Sequence, residues 1–384
     1  MRIAFISIVK DPWGGSEELW AQAASAAMKQ GHEVLISAYD RGELSPRFRA
    51  LEEMGATLFL RRGYIKPGTP LYPRVARKAW HFILNKLFNP FADLMRKDPD
   101  IVVYSGSCYS IKDDPQLMEL LKRKRTPLII NTQVNLEYTR PINDSESSII
   151  REAYAFASLV TFVSERNAAV ARRHLLYDIP NARIVRNPVN LKSFSLIDYP
   201  RLDGKVRFAM VANLLVNHKG HDILFDVLRS AKWMSRDWEL SVYGSGDDEQ
   251  YIRQLCRFFH LEEKVRIMGR AEDIRAVWTA HHMLLMPSLC EGIPLAVVEA
   301  MLCGRPVLAT DTGGHMEWID EGVEGFIAEG ANVYSLDQAL ERAWASRNDW
   351  PQMGMRAHQR ATSQFDPNSG ETFMNIILAH GRRP

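Results

Sequence analysis

At roughly 150 residues per domain, a chain of 384 residues that is 46% apolar suggests two or three domains, each able to build its own core. Its 48 lysines and arginines nearly balance 46 aspartates and glutamates and leave a net charge of +2, which excludes the electrostatic footprint of a general nucleic-acid binder. Four cysteines, Cys108, Cys256, Cys290 and Cys303, form no C-x-x-C pair or His-flanked metal spacing, and no run approaches the ~20 apolar residues that cross a bilayer.

The chain opens on the apolar run Ile3 to Val9, behind a lone Arg2. It leads into Lys10-Asp11-Pro12 rather than a small-residue cleavage site, so it reads as a first strand and not as a secretory signal. With so few cysteines, a reducing, cytoplasmic setting is expected. Trp13-Gly14-Gly15-Ser16-Glu17 follows directly and has two readings. Backbone without side chains can come close to a ligand; equally, this is a turn before a helix capped by Ser16. Further β-branched runs lie at Glu33 to Tyr39, Thr57 to Leu60, Ile101 to Tyr104, Leu128 to Thr132 and Leu159 to Val163, with helical stretches between them. Strand alternating with helix predicts a parallel sheet covered on both faces, and continuously apolar runs are those of strands buried on both sides.

Between Arg61 and Lys97 nine basic residues face one acidic residue, Asp93, so the segment carries +8 and the rest of the chain −6. Trp80, Leu84, Leu87, Phe88 and Phe91 share a helical face there, preceded by Tyr64, Pro67, Leu71 and Tyr72. A helical apolar stripe reads first as core. Joined to so many cations it also suits an anionic membrane surface or a lipid diphosphate, with the protein peripheral on the cytoplasmic face. Asp98-Pro99-Asp100, the one literal Asp-x-Asp, precedes a strand and reads as a helix-to-strand turn; no metal and no other cofactor is implied.

Near Asn187-Pro188-Val189 the rhythm breaks into a polar, proline-containing stretch ending at Tyr199-Pro200, and it restarts at Lys205. This predicts domains of 1–195 and 196–366, two Rossmann-like halves facing each other across a cleft floored by strand carboxyl ends, where ligands of open α/β sheets bind. The second half has strands at Val206 to Val211, Leu240 to Tyr243, Val265 to Met268, Met283 to Met286 and Val307 to Ala309. After the first of them comes Asn213 to Asp222, whose Lys219-Gly220 can hold a point charge over the cleft for a phosphate; a helix-start lysine facing water explains it as well. Tyr243-Gly244-Ser245-Gly246 is a G-x-G only, too weak for a dinucleotide fingerprint and equally a tight turn. Pro287 to Met301 is the most informative segment: a strand leads through Glu291 to a helix with Pro294 at its first position and Glu299 about one and a half turns in. Amides of that first turn, from Leu295 onward, can point at a diphosphate, and the two carboxylates can reach different hydroxyls of one ligand.

In combination these segments resemble the retaining GT-B glycosyltransferases of family 4, the group 1 glycosyl transferases. The matching residues are Gly14-Gly15; Asn187-Pro188-Val189; Lys219-Gly220; Gly244-x-Gly246; Val265-Arg266-Ile267-Met268-Gly269; the E-x7-E pair Glu291 and Glu299; Ala300-Met301-x-x-Gly304-x-Pro306-Val307; and Gly313-Gly314. The resemblance covers nearly all of the C-terminal half, but only the layout and the glycine pair of the N-terminal half.

It implies an acceptor-binding first domain and a second domain that holds a nucleoside diphosphate sugar. Glu299 would meet the ribose, Lys219 and the amides near Ile293 to Ala296 the diphosphate, Glu291 the sugar, and the backbone around Arg266 to Met268 the base, with Asn213, Gly244, Gly292, Pro294 and Leu295 also among the donor-binding residues. Gly14-Gly15 would approach the phosphates, and a last helix, within 367–384, would pack back on the first domain. The chain departs from the family pattern twice. Asn213 stands where members often carry arginine, which leaves more of the diphosphate charge to Lys219 unless Arg270 or Arg166 supplies a second cation. Gln133 stands where many carry histidine; it can bond a sugar hydroxyl but cannot shuttle a proton. The expected activity is metal-independent, retaining hexosyl transfer to a glycan or lipid-linked acceptor in surface polysaccharide or glycolipid assembly, with the departing phosphate oxygen taking the acceptor's proton. A nucleotide-sugar 2-epimerase of the same fold, or a degenerate sugar-nucleotide-binding module, are the alternatives.

Overall fold

The computed structural model describes residues 1–9, 13–64, 70, 72–76, 80, 84 and 88–382; Lys10-Asp11-Pro12 and, from the basic segment, Pro67, Leu71 and Leu87 lie outside them. The chain divides into two compact units, Met1–Pro188 with Asp366–Pro384, and Val189–Phe365.

The first unit is built on seven parallel strands: β1 (Arg2–Ser7), β2 (Glu33–Tyr39), β3 (Thr57–Arg61), β4 (Ile101–Gly106), β5 (Leu128–Thr132), β6 (Leu159–Phe162) and β7 (Ala182–Ile184), in the order β3-β2-β1-β4-β5-β6-β7. The apolar runs fill both faces, as the pleat requires: Ala4, Ile6, Val102, Tyr104 and Ile130 pack on one side, Ile3, Phe5, Ile101, Val103 and Ile129 on the other. The second face is closed by the helices Gly15–Lys29 and Ser369–His380. A Cβ on Gly370 would lie 2.5 Å from that of Gln22, so a glycine there is what lets these two helices touch. Of the basic segment, Phe91 belongs to the core and Arg61 is buried between the rings of Tyr39 and Phe91, whereas Tyr72, Trp80 and Phe88 are exposed.

Glu17 lies in the first turn of helix Gly15–Lys29, 1% exposed, and accepts a hydrogen bond from Trp20 Nε1 at 3.0 Å. Burial pushes its carboxyl up to about 7; the Ser7 and Trp20 bonds pull it down only in part, and Glu18 adds to the rise. The folded state therefore binds a proton that the unfolded chain has released, and stability falls as pH climbs from the ordinary glutamate range through about 7. We expect a loss of about 3 kcal/mol over that window. Glu17→Gln should abolish it, which urea denaturation of the two proteins at pH 5 and pH 8 checks; an unchanged pH slope would contradict it.

The second unit carries β8 (Val206–Val211), β9 (Trp238–Tyr243), β10 (Val265–Gly269), β11 (Met283–Met286), β12 (Val307–Thr310) and β13 (Gly325–Ala328), also parallel, in the order β10-β9-β8-β11-β12-β13. β7 and β13 escape the sequence reading because Ala-Arg-Ile and Gly-Phe-Ile-Ala are too short to show a pattern. The stretch 189–200 does not behave as a free linker. Arg275 Nη1 donates to the carbonyls of Ser193 and Ser195 at 2.9 and 3.0 Å, Arg305 Nη2 to that of Asp198 at 2.8 Å, and Tyr199 Oη to that of His282 at 2.8 Å. These bonds assign the stretch to the second unit and put the division at Pro188/Val189, not at 195/196.

Candidate active site

The second sheet reverses its strand order between β8 and β11, where Phe208 pairs with Met283 and Ala209 with Leu284. Loops leaving the strand ends diverge at such a point and open a crevice. Here they are also tied together. The amides of Leu289 and Cys290 donate to the His218 carbonyl at 2.8 and 3.3 Å. Gly220 has φ +67°, and a Cβ there would lie 2.2 Å from the Pro287 carbonyl oxygen, so both the handedness and the close approach demand glycine. The residue before it, Lys219, is thereby delivered to Glu291.

Lys219 Nζ lies 2.6 Å from Glu291 Oε1, with the side chains 19% and 7% exposed, and Ser288 Oγ donates to the same oxygen at 2.7 Å. Burial alone would raise the Glu291 carboxyl, but Lys219, His315 and the Ser288 bond outweigh it and hold it below the usual range, so it is a carboxylate. Gly292, Ile293 and Pro294 are buried behind it, and Leu295 and Ala296 are half-buried. Pro294 is the cap of helix Leu295–Leu302 rather than its first residue, and its carbonyl accepts from Val297 and Val298 at 2.9 and 3.3 Å. The first-turn amides left for an anion are those of Leu295 and Ala296.

A cavity of about 320 Å³ opens at the carboxyl ends of β8, β9 and β10, lined among others by Asn213, Gly244, Ser245, Arg270 and Glu299; Lys219 and Glu291 are not part of its lining. Glu299 is 5% exposed; burial pushes its carboxyl up, and the Asn190 amide, donating to Oε1 at 2.9 Å, works against that. Gly244 has a structural reason of its own: φ is +150°, and a Cβ would lie 1.8 Å from the Ala212 carbonyl oxygen. Arg270 donates from Nε to Ser245 Oγ at 2.9 Å and lines the cavity, whereas Arg166 belongs to the first unit and is paired with Glu137 at 2.6 Å. Arg266 and Met268 sit on the edge strand β10 and do not line the cavity; Arg270, Ala271 and Ile274 just beyond them do.

In the first unit, Gly14 is the cap of helix Gly15–Lys29, without a side-chain cap from Ser16, and a Cβ on Gly14 meets only Ser16 Oγ at an ordinary 3.5 Å. Nothing in its own unit thus demands glycine there. Gln133 follows β5, and its Oε1 accepts from Asn187 Nδ2 at 2.6 Å while its Nε2 is buried without a partner among the described residues. Asp98 takes φ +50° in the turn before β4, and Asp100 accepts from the Arg2 amide at 2.6 Å. No group of three or more His, Cys, Asp or Glu is placed to hold a metal, and no helix is long and apolar enough to cross a membrane, among the described residues.

Sequence reasoning did not find Asn190, Ser288 or His315. Ser288 stands three residues before Glu291 and could have been suspected as its hydroxyl partner; nothing in the residue types singled out the other two.

Residues 205–346 match the family model described as "Glycosyl transferases group 1". Over 128 residues the chain is 29% identical to an uncharacterized glycosyltransferase of Haemophilus influenzae, covering 33% of this chain and 36% of that one. It is 26% identical over 191 residues to the amylovoran biosynthesis glycosyltransferase AmsK of Erwinia amylovora, covering 48% and 47%. The chain thus spans about half or less of the curated relatives it matches. The structure superposes on Anabaena HepE in complex with UDP with a TM-score of 0.74 at 17% identity, covering 99% of this chain and 100% of that chain. HepE has also been solved with UDP-glucose.

Proposed function

We propose, on the premise that the second unit belongs to the group 1 glycosyl transferases and that the two parallel sheets are those of a GT-B fold, that this chain transfers a hexose from a nucleoside diphosphate sugar to a glycan or lipid-linked acceptor in polysaccharide or glycolipid assembly. The observation that carries this reading is the Lys219–Glu291 pair, 2.6 Å apart, at the strand-order reversal beside the open amides of Leu295 and Ala296. A cation and helix amides together suit a diphosphate, and the UDP and UDP-glucose complexes of HepE support that ligand class.

Breaking the bond between the anomeric carbon and the diphosphate leaves negative charge on the β-phosphate, so stabilising that charge is the main catalytic task. Lys219 meets it with a full charge and the helix end with two N–H dipoles. Glu291, freed from the ammonium, turns to the sugar hydroxyls. The departing phosphate oxygen takes the acceptor's proton on the same face, which gives retention without a metal and without a separate base. Gln133 then needs only to hold a hydroxyl.

Glu299 is assigned to the ribose. Glu299→Gln retains an oxygen for the Asn190 amide but loses the charge, so donor affinity should weaken by roughly tenfold or more, the value of a hydrogen bond to a charged group. Calorimetry with UDP-, GDP- and ADP-glucose, followed by donor consumption with and without acceptor, tests the whole reading. Transfer consumes donor only with acceptor; epimerisation needs none, and a binding module consumes nothing. Unaltered affinity in the variant would remove Glu299 from the site.

A further inference from the structure

The loop after β12, which carries a histidine, packs against the loop that holds Glu291. A Cβ on Gly313 would lie 2.4 Å from the Glu291 carbonyl oxygen, and the Gly314 amide donates to the Gly292 carbonyl at 2.9 Å, so the two loops are locked together. His315 follows, with none of its surface exposed. Its Nδ1 lies 2.7 Å from the Thr310 carbonyl oxygen; since a carbonyl only accepts, Nδ1 carries the proton and Nε2 is left with a bare lone pair. That Nε2 is buried and has no hydrogen-bond partner among the described residues. The charges acting on the ring are Glu291 from the loop after β11, Lys219 from the loop after β8, and Asp311 from its own loop. Burial holds the imidazole neutral near pH 7; Glu291, the Thr310 bond and Asp311 pull toward protonation, and Lys219 opposes it.

A diphosphate competes with Glu291 for the donors and charge of the Lys219 ammonium. If the diphosphate draws Lys219 away, the buried Glu291 carboxylate loses that cation, which is unfavourable. A proton on a neighbouring base is the smaller penalty, and the force that opposed it has then left. We propose that His315 is a positioning residue that replaces Lys219 as the counter-charge of Glu291: as the diphosphate takes the ammonium, Nε2 accepts a proton from solvent and the imidazolium holds the carboxylate toward the sugar. This rests on the reading of Lys219 as the diphosphate's cation.

The test titrates the full chain with UDP-, GDP- and ADP-glucose, whose diphosphate diesters do not themselves titrate near neutrality, by calorimetry at pH 7.5 in buffers of low and high ionisation enthalpy. The expected result is uptake approaching one proton per donor bound, with affinity rising by up to about tenfold per pH unit as pH is lowered from 8.5 to 7. His315→Asn retains an amide donor for the Thr310 carbonyl but cannot titrate, so uptake should fall to near zero and the pH slope should flatten. His315→Gln carries the same expectation if the asparagine variant does not fold. Binding without uptake by the unaltered protein, or uptake that persists in the variants, would overturn the assignment to His315 and leave the diphosphate reading standing. Failure of all three sugar nucleotides to bind would overturn both.

Discussion

Lys219→Ala should lower transfer by about a hundred- to a thousand-fold, the range seen when one preorganised stabiliser of a developing oxyanion is removed. The geometry places two effects in that number. One is loss of the cation proposed to meet the leaving phosphate. The other is that Glu291, 7% exposed and 2.6 Å from Nζ, loses its cation, so that a proton is taken up at Glu291 or at its neighbour His315 to offset the buried charge. Adding Glu291→Gln to Lys219→Ala separates them: the double variant should lose little beyond the single one, because residues acting as a unit are not additive. Steady-state rates with an unchanged melting temperature are the measurement. Near-normal turnover in Lys219→Ala would dismiss the electrostatic role.

Much of this was legible in the sequence, for physical reasons that vary by residue. Strands such as Ile101 to Tyr104 announce themselves because a doubly covered parallel strand must be apolar throughout. Pro294 signals a helix start, although it proves to be the cap and not the first helical residue. That Lys219 and Glu291 both follow strands is legible; that they touch is not, because the contact depends on the absence of a side chain at Gly220, where a Cβ would lie 2.2 Å from the Pro287 carbonyl oxygen. The domain boundary was read from polarity, which locates a break in rhythm. It cannot tell which side a polar strand-free segment is bonded to. His315 was illegible because its significance lies in an unpartnered nitrogen, a property of packing alone.

Arg305→Ala should destabilise the second unit by on the order of 5 kcal/mol. Arg305 is wholly buried, and no carboxylate among the described residues is bonded to it; its guanidinium instead donates to the carbonyls of Trp278 (2.7 Å), Asp198 (2.8 Å), Cys303 (2.9 Å), Gly304 (3.1 Å) and Ile197 (3.3 Å). Burial lowers its pKa to about 10, which still leaves it cationic at physiological pH. Removing it leaves buried carbonyls unsatisfied, at about 1–3 kcal/mol each before any water enters. Arg305→Lys should recover part of this, since one ammonium reaches fewer of the dispersed oxygens than the planar fork. Chemical denaturation of the two variants checks the ranking, and a loss below about 1 kcal/mol would refute it.

The stretch 189–200 has a practical corollary. Anyone excising the second unit for study alone should cut before Val189, because a fragment starting at 196 would lack the Asn190 amide that sits on Glu299 and the Ser193 and Ser195 carbonyls that orient Arg275. Such a shortened piece would retain every strand of its sheet and yet present a buried Glu299 whose backbone hydrogen-bond partner had been cut away.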